Sequence, residues 1–253
     1  MTRPRKPRKI SLTNQDQLYS QPREAITGFV FDESVVKVFE DMIGRSVPGY
    51  STLLSMFPVL ARYFVTSNSR CYDLGCSLGA STLAVQQGVD KHNVEIVAVD
   101  NSPAMIKKCE ALISEHKTDT KVNVKMADVS EIKIENASLV VMNFTLQFIE
   151  ESIRQNLVNK IYQGMNTGAA FLLSEKIRLS DENNDEKLIS LHHAFKKANG
   201  YSDLEISQKR TSLENVLIPE SVEQHIARLK QAGFSQVMVW FQCFNFVSIL
   251  AIK

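Results

Sequence analysis

The chain has 253 residues, with 29 Lys plus Arg against 28 Asp plus Glu and a formal net charge of +1. That length suits one sizeable α/β domain, and so even a balance excludes a protein that coats nucleic acid by charge alone. No apolar run is long enough to span a bilayer, no apolar signal region follows the N-terminus, and Cys71, Cys76, Cys109 and Cys243 form no Cys-x-x-Cys pair, so they read as free thiols of a cytoplasmic protein without a metal site.

Residues 1–28 begin "MTRPRKPRKI", where Arg3, Arg5, Lys6, Arg8 and Lys9 alternate with prolines. Such a stretch gives a core nothing to grip and predicts a disordered basic tail; an electrostatic arm for RNA is the alternative. A single domain is expected over 29–253. Asp32 caps a helix whose apolar positions Val35, Val36, Phe39, Met42 and Ile43 recur at helical spacing. Pro48 and Gly49 end it, and a second amphipathic helix runs from Tyr50 to Phe64. These two helices precede the first strand and are positioned to form a lid.

From Arg70 strands and helices alternate. "CYDL" is the first strand and a helix follows from Ala80 to about Gln87. "VEIVAVD" is a continuous apolar run ending in Asp100, as a buried parallel strand should be. Ser102 and Pro103 open a helix reaching about His116. "KVNVKMADV" and "SLVVMNF" are the third and fourth strands, a helix from Ser152 stops at Gly164, and "AAFLLSEK" is the fifth strand. The alternation predicts a parallel sheet with helices on both faces. After helices across 181–231, "FSQVMVWFQCF" and "NFVSILAIK" follow with almost no connection, so they must pair antiparallel. A mainly parallel sheet ending in such a hairpin is the sheet of S-adenosylmethionine-dependent methyltransferases rather than a plain dinucleotide fold.

The turn after the first strand, "DLGCSLGA", places Gly75 and Gly79 four apart. Where a dinucleotide enzyme needs a glycine beside the pyrophosphate stands Ser77, which suits a ligand without phosphates. Asp73 and Ser77 are expected to meet an ammonium and a carboxylate, Asp100 a ribose diol rather than the core, and Asp128 an adenine amino group. Each carboxylate alone is an ordinary cap or turn residue. Three of them at successive strand ends lie where open α/β sheets bind ligands.

Several stretches, "RSVPGYS", "YDLGCSLGA", "DNSPAMI", "NFTLQF", "HHAFKKANGYSDLEISQKR" and "VWFQCFNF", resemble the carboxy-S-adenosyl-L-methionine synthases, a family with the class I methyltransferase fold. The resemblance runs from about Phe29 to Lys253 and leaves the basic N-terminus out. It implies a Rossmann-like methyltransferase fold with an N-terminal helical lid. The implied reaction uses S-adenosylmethionine and prephenate to give carboxy-S-adenosylmethionine, a product the site retains, with phenylpyruvate released. In the family's proposed mechanism the sulfonium methyl becomes an ylide that captures the carboxyl carbon leaving prephenate as its ring becomes aromatic. The product serves a second enzyme, a tRNA carboxymethyltransferase acting at wobble uridine; a homodimer is implied, and direct tRNA binding is not.

Carried over motif by motif, the resemblance makes Tyr50 a contact from the lid. It puts Gly75, Cys76 and Ser77 in the turn beneath the methionine portion, Cys76 through its backbone. Asp100 and Asn101 fall on the ribose, Asp128 and Val129 on the adenine, Asn143 beside the sulfonium, and Arg210 on the new carboxylate. From the residues alone Arg210 reads instead as a surface cation partnered by Glu214 four positions on, and it is the resemblance that reverses this. His192 and His193, adjacent on one helix, read as one buried and one solvated ring. Two other functions stay open at this level: an ordinary methyltransferase acting on a small molecule or tRNA, and a non-catalytic RNA-associated protein.

Overall fold

A computed structural model of the protein describes residues 15–116 and 118–253. The expectation of a disordered tail over residues 1–14 falls outside them. Over residues 15–28 that expectation is corrected, because this segment is fastened to the domain. The Asp16 carboxylate accepts a hydrogen bond from Tyr201 Oη at 2.6 Å, and its N–H donates to Asp41 Oδ2 at 2.7 Å. Gln208 Nε2 donates to the carbonyls of Tyr19 and Gln21, each at 2.9 Å. Asp16 and Tyr19 are buried.

Asp32 caps the first helix as expected, accepting from the N–H groups of Ser34 and Val35. That helix is one turn, α1 (Glu33–Val36), and a break at Lys37 and Val38 separates it from α2 (Phe39–Ser46), where one continuous helix was expected. The break turns both Val35 and Val38 into a cluster with Tyr19, Phe29, Met42, Leu78 and Met105. Gly49, at φ +77°, makes the turn into α3 (Tyr50–Phe64).

The remaining elements follow the expected alternation: β1 (Arg70–Leu74), α4 (Ala80–Gly88), β2 (Glu95–Asp100), α5 (Pro103–Glu115), β3 (Lys121–Met126), β4 (Ala137–Asn143), α6 (Glu151–Gly164) and β5 (Met165–Lys176). Then come α7 (Glu182–Ala198), α8 (Asp203–Leu213), α9 (Val222–Ala232), β6 (Gln236–Cys243) and β7 (Phe246–Ile252). The sheet runs β3-β2-β1-β4-β5-β7-β6. Every pairing among β1 to β5 is parallel, whereas β7 runs antiparallel to both β5 and β6. A two-residue link cannot carry a crossover, so the final hairpin inserts its second strand against β5 and leaves β6 at the edge.

Strands buried on both faces explain the unbroken apolar runs. Tyr72, Val97, Val140, Met142 and Phe171 face one core with Leu157 and Ile161 of α6. Cys71, Ile96, Leu139 and Leu172 face the other with Leu53, Phe57 and Ala61 of α3. Thus α3 is core packing rather than lid, and only the α1–α2 part of the expected lid lies over the strand ends. Chain order reverses between β1 and β4, which opens a crevice at their C-terminal tips.

Candidate functional site

That crevice holds a cavity of about 420 Å³, within the range of roughly 300–1,000 Å³ usual for small-ligand sites. Gly75, Ser77, Asp100, Asn101, Asp128, Val129, Asn143 and Arg210 all line it, so eight of the ten expected site residues converge from sequence positions far apart. Phe39, Met42, Ile43, Ser46 and Val47 close it from the α2 side.

The glycine turn is shaped by packing. Gly75 sits at φ +84°, and a Cβ there would collide with the Thr145 hydroxyl; Gly79 sits at φ +88° against Cys109 Sγ. Ser77 occupies the same left-handed region at φ +49°, a conformation costly for a residue with a side chain. Asp100 holds it there, its Oδ2 accepting the Ser77 N–H at 2.9 Å while Oδ1 accepts the Ser102 N–H at 2.9 Å. The expected role of Asp100 is therefore incomplete: its carboxylate fastens the ligand turn and the cap of α5 as well as facing the cavity. Burial raises its pKa, and those backbone donors pull it back down. The Ser77 hydroxyl points to Met105 Sδ at 3.4 Å rather than into the cavity.

Two expected contacts are not on the wall. Cys76 is buried against Cys109; its N–H donates to Val99 O and its carbonyl accepts from Gly79, so its backbone is already engaged. Tyr50 stands one layer back, its ring 6.3 Å from that of Phe144, which does line the cavity. Asp73 is also set back. It is 1% exposed, with Oδ2 accepting from Thr82 Oγ1 at 2.6 Å and Oδ1 without a partner among the described residues. Burial, the larger influence, lifts its pKa to about 7. Asn143, on the adjacent strand, likewise has a buried Oδ1 with no partner among the described residues, while its Nδ2 donates to Ser81 Oγ at 3.1 Å. Two orphaned oxygens at neighbouring strand tips are acceptors awaiting a donor, and an amino-acid ammonium is one.

"NFTLQF" builds the far wall. Phe144 sits at φ +62°, Thr145 abuts Gly75, and Phe148 meets the Phe31 ring edge-on at 5.3 Å. Glu175, 0% exposed at the end of β5, locks this loop by accepting the N–H groups of Leu146 and Gln147, each at 2.9 Å. Gln147 Oε1 in turn accepts the Lys176 N–H at 3.0 Å. Asp128 is fixed by Ser130, whose hydroxyl and N–H both donate to Oδ1; the hydroxyl contributes most to lowering the Asp128 pKa.

At the other end Arg210 lines the cavity, and no ion pair joins it to Glu214 or another acid among the described residues. The surface-pair alternative is thus not formed. His192 is buried, its Nε2 2.8 Å from the Ser46 carbonyl, while His193 is half-exposed; both reach the wall. Three lining lysines lay outside the sequence expectations: Lys176, Lys196 and Lys209. Lys176 ends β5 at the ligand-binding edge of the sheet, a positional signal that was available. Lys196 and Lys209 lie in charged helical stretches that look solvated. Among the described residues no group of three or more His, Cys, Asp or Glu is placed to hold a metal, and no helix is long and apolar enough to cross a membrane.

Comparison with known proteins agrees with this geometry. The model of a family described as "Methyltransferase domain" matches residues 72–168. The chain is 52% identical to the carboxy-S-adenosyl-L-methionine synthase of Klebsiella pneumoniae and 54% identical to that of Citrobacter koseri, each over 96% of this chain and 98% of the relative. Among solved structures it resembles human N-acetylserotonin methyltransferase in complex with SAM, with a TM-score of 0.58 and 14% identity over 87% of this chain and 55% of that one. At that identity the likeness speaks for the fold alone.

Proposed function

Because the chain belongs to the carboxy-S-adenosyl-L-methionine synthase family, an S-adenosylmethionine-dependent group built on the methyltransferase fold, we propose that it converts S-adenosylmethionine and prephenate to carboxy-S-adenosylmethionine and phenylpyruvate. The observation that carries this reading is Arg210, a guanidinium facing the cavity without an acidic partner among the described residues. Transfer of a neutral methyl needs no such cation; holding a second carboxylate does, and the planar two-pronged donor face suits it.

The residues fit the adenosyl ligand. Asp100 and Asn101 stand where ribose hydroxyls would sit, Asp128 and Val129 border the adenine end, and the unpartnered Oδ1 of Asn143, which lines the cavity, suits the ammonium. S-adenosylmethionine supplies a methyl acidified by its sulfonium. In the net reaction the methyl loses a proton and gains a bond to the ring carboxyl carbon of prephenate. The ring loses that carboxyl and its hydroxyl, the hydroxyl leaves with the proton as water, and aromatisation drives the exchange. The chain's task is to align the two ligands, exclude bulk water beneath α1 and α2, and hold the transferred carboxylate at Arg210.

The same reading makes the product the donor for a tRNA carboxymethyltransferase acting at wobble uridine, and places the enzyme in the cytoplasm as a homodimer that does not itself bind tRNA. Mass spectrometry of the small molecule released on denaturing the purified protein tests it. Carboxy-S-adenosylmethionine is expected; only S-adenosylmethionine or S-adenosylhomocysteine across preparations favours an ordinary methyltransferase.

A further inference from the structure

One end of the cavity carries more positive charge than Arg210 alone accounts for. Lys176, His193, Lys196 and Lys209 line it beside Arg210, and among the described residues the one acid on that stretch of wall is Glu214. Lys209 is already committed: its Nζ lies 3.8 Å from Asp16 Oδ2 and 3.4 Å from Ser46 Oγ, and 5.9 Å from the centre of the Tyr201 ring. Lys196 and Lys176 are not. Lys196 is only 7% exposed, yet its side chain makes no hydrogen bond or ion pair among the described residues, and the same holds for the Lys176 ammonium. A largely buried lysine such as Lys196, set at a cavity wall with no acid within ion-pair distance among the described residues, is stabilised when a ligand brings a negative charge to it.

We infer that Lys176 and Lys196 form a second anion subsite, distinct from Arg210, which holds the carboxylate of the second substrate that is not transferred. The inference rests on the two-substrate reading above and deepens it: a ligand filling both subsites is a dicarboxylate. Lys176 projects from the tip of β5 and Lys196 from the last turn of α7, so the pair straddles the cavity end from two elements. Both line the same end of the cavity. Burial is the main force lowering the pKa of each; the positive charges of Lys209 and then Lys176 add to the effect on Lys196, and Arg210 adds to that on Lys176. Asp185 offsets part of it at Lys176, and Asp16 at Lys196. Arg210 then holds the carboxyl group that moves, while the lysines anchor the one that stays.

The test uses the full chain loaded with S-adenosylhomocysteine, which has no methyl to react, titrated calorimetrically with prephenate and with succinate. Lys176→Gln and Lys196→Met should each weaken both dianions by roughly tenfold or more, and raise the KM for prephenate more than they lower kcat. Lys196→Arg should recover most of the loss, and affinity for S-adenosylmethionine should stay within about twofold of wild type. Unchanged dianion binding in the folded lysine variants overturns the subsite. A parallel loss of S-adenosylmethionine affinity also overturns it, because the lysines would then serve the methionine carboxylate. Lysine-dependent succinate binding in a protein that neither binds nor turns over prephenate keeps the subsite and removes prephenate. Prephenate turnover with unchanged KM in both variants does the reverse. Should Lys196→Met fail to melt cooperatively, Lys176→Gln, at a half-exposed position, decides the matter.

Discussion

Replacing Asp100 by Ala should cost stability even in the absence of ligand. Its two carboxylate oxygens accept the Ser77 and Ser102 N–H groups at 2.9 Å each, and Ser77 is held at φ +49°. A hydrogen bond to a charged group contributes about 1.5–3 kcal/mol, and water reaching the vacated donors keeps the loss for the pair near the lower end, about 3 kcal/mol in all. For a chain of this size that corresponds to a melting temperature lower by roughly 6–12 °C. Asp100→Asn keeps one acceptor oxygen and should lose about half as much. The assay is scanning calorimetry of the unliganded protein and both variants, followed by titration with S-adenosylhomocysteine at a temperature where all are folded. Nucleoside affinity should fall in addition, because the turn that positions the ligand is loosened and the ribose acceptor is gone. An Asp100→Ala protein that melts with wild type, and loses only affinity, would refute the bracing role and leave the carboxylate to the ribose alone.

Glu175→Gln changes one atom but places an NH2 against a backbone N–H of Leu146 or Gln147. It should cost on the order of 1.5–3 kcal/mol in a denaturant titration, and a near-neutral effect would mean that this carboxylate does not hold the "NFTLQF" loop. His192, driven by burial to a pKa of about 3, binds a proton more readily when unfolded. Stability is therefore complete above about pH 6.5 and declines as the pH falls toward 3. Thermal melts of His192→Gln should show a shallower decline over that window than wild type, and parallel curves would rule the residue out as a source. Arg210→Lys and Arg210→Ala should bind S-adenosylmethionine almost as wild type does, while binding of carboxy-S-adenosylmethionine falls for Lys and further for Ala. Equal weakening of both ligands in calorimetry would make Arg210 structural.

The strands were legible because a parallel strand covered on both faces reads as an unbroken apolar run, as Ile96 to Val99 and Leu139 to Met142 do, and because a two-residue link permits only a hairpin. The site was legible wherever a residue lay at a strand tip: Asp100, Asp128 and Asn143 reach the cavity for that reason. What escaped depends on partners distant in sequence. Asp16 and Tyr19 sit in a polar, aperiodic stretch, and what fastens them is Tyr201 and Gln208, 185 and 189 residues away. Cys76 belonged to the right turn, yet Val99 and Gly79 engage its backbone from within the fold. Lys196 looked like any cation in the last turn of a helix, and only the packing of α7 against α2 and α8 brings it to the cavity. The break between α1 and α2 leaves no Pro or Gly in the sequence to mark it.

In the proposed reaction a carboxyl group moves from prephenate to the sulfonium-bound carbon. Purified protein incubated with S-adenosylmethionine and prephenate carrying carbon-13 in its ring carboxylate, with products followed by mass spectrometry, tests it directly. A labelled carboxy-S-adenosylmethionine is expected, formed in step with unlabelled phenylpyruvate and absent with Arg210→Ala. S-adenosylhomocysteine as the product, or a carboxylated sulfonium without the label, would contradict it.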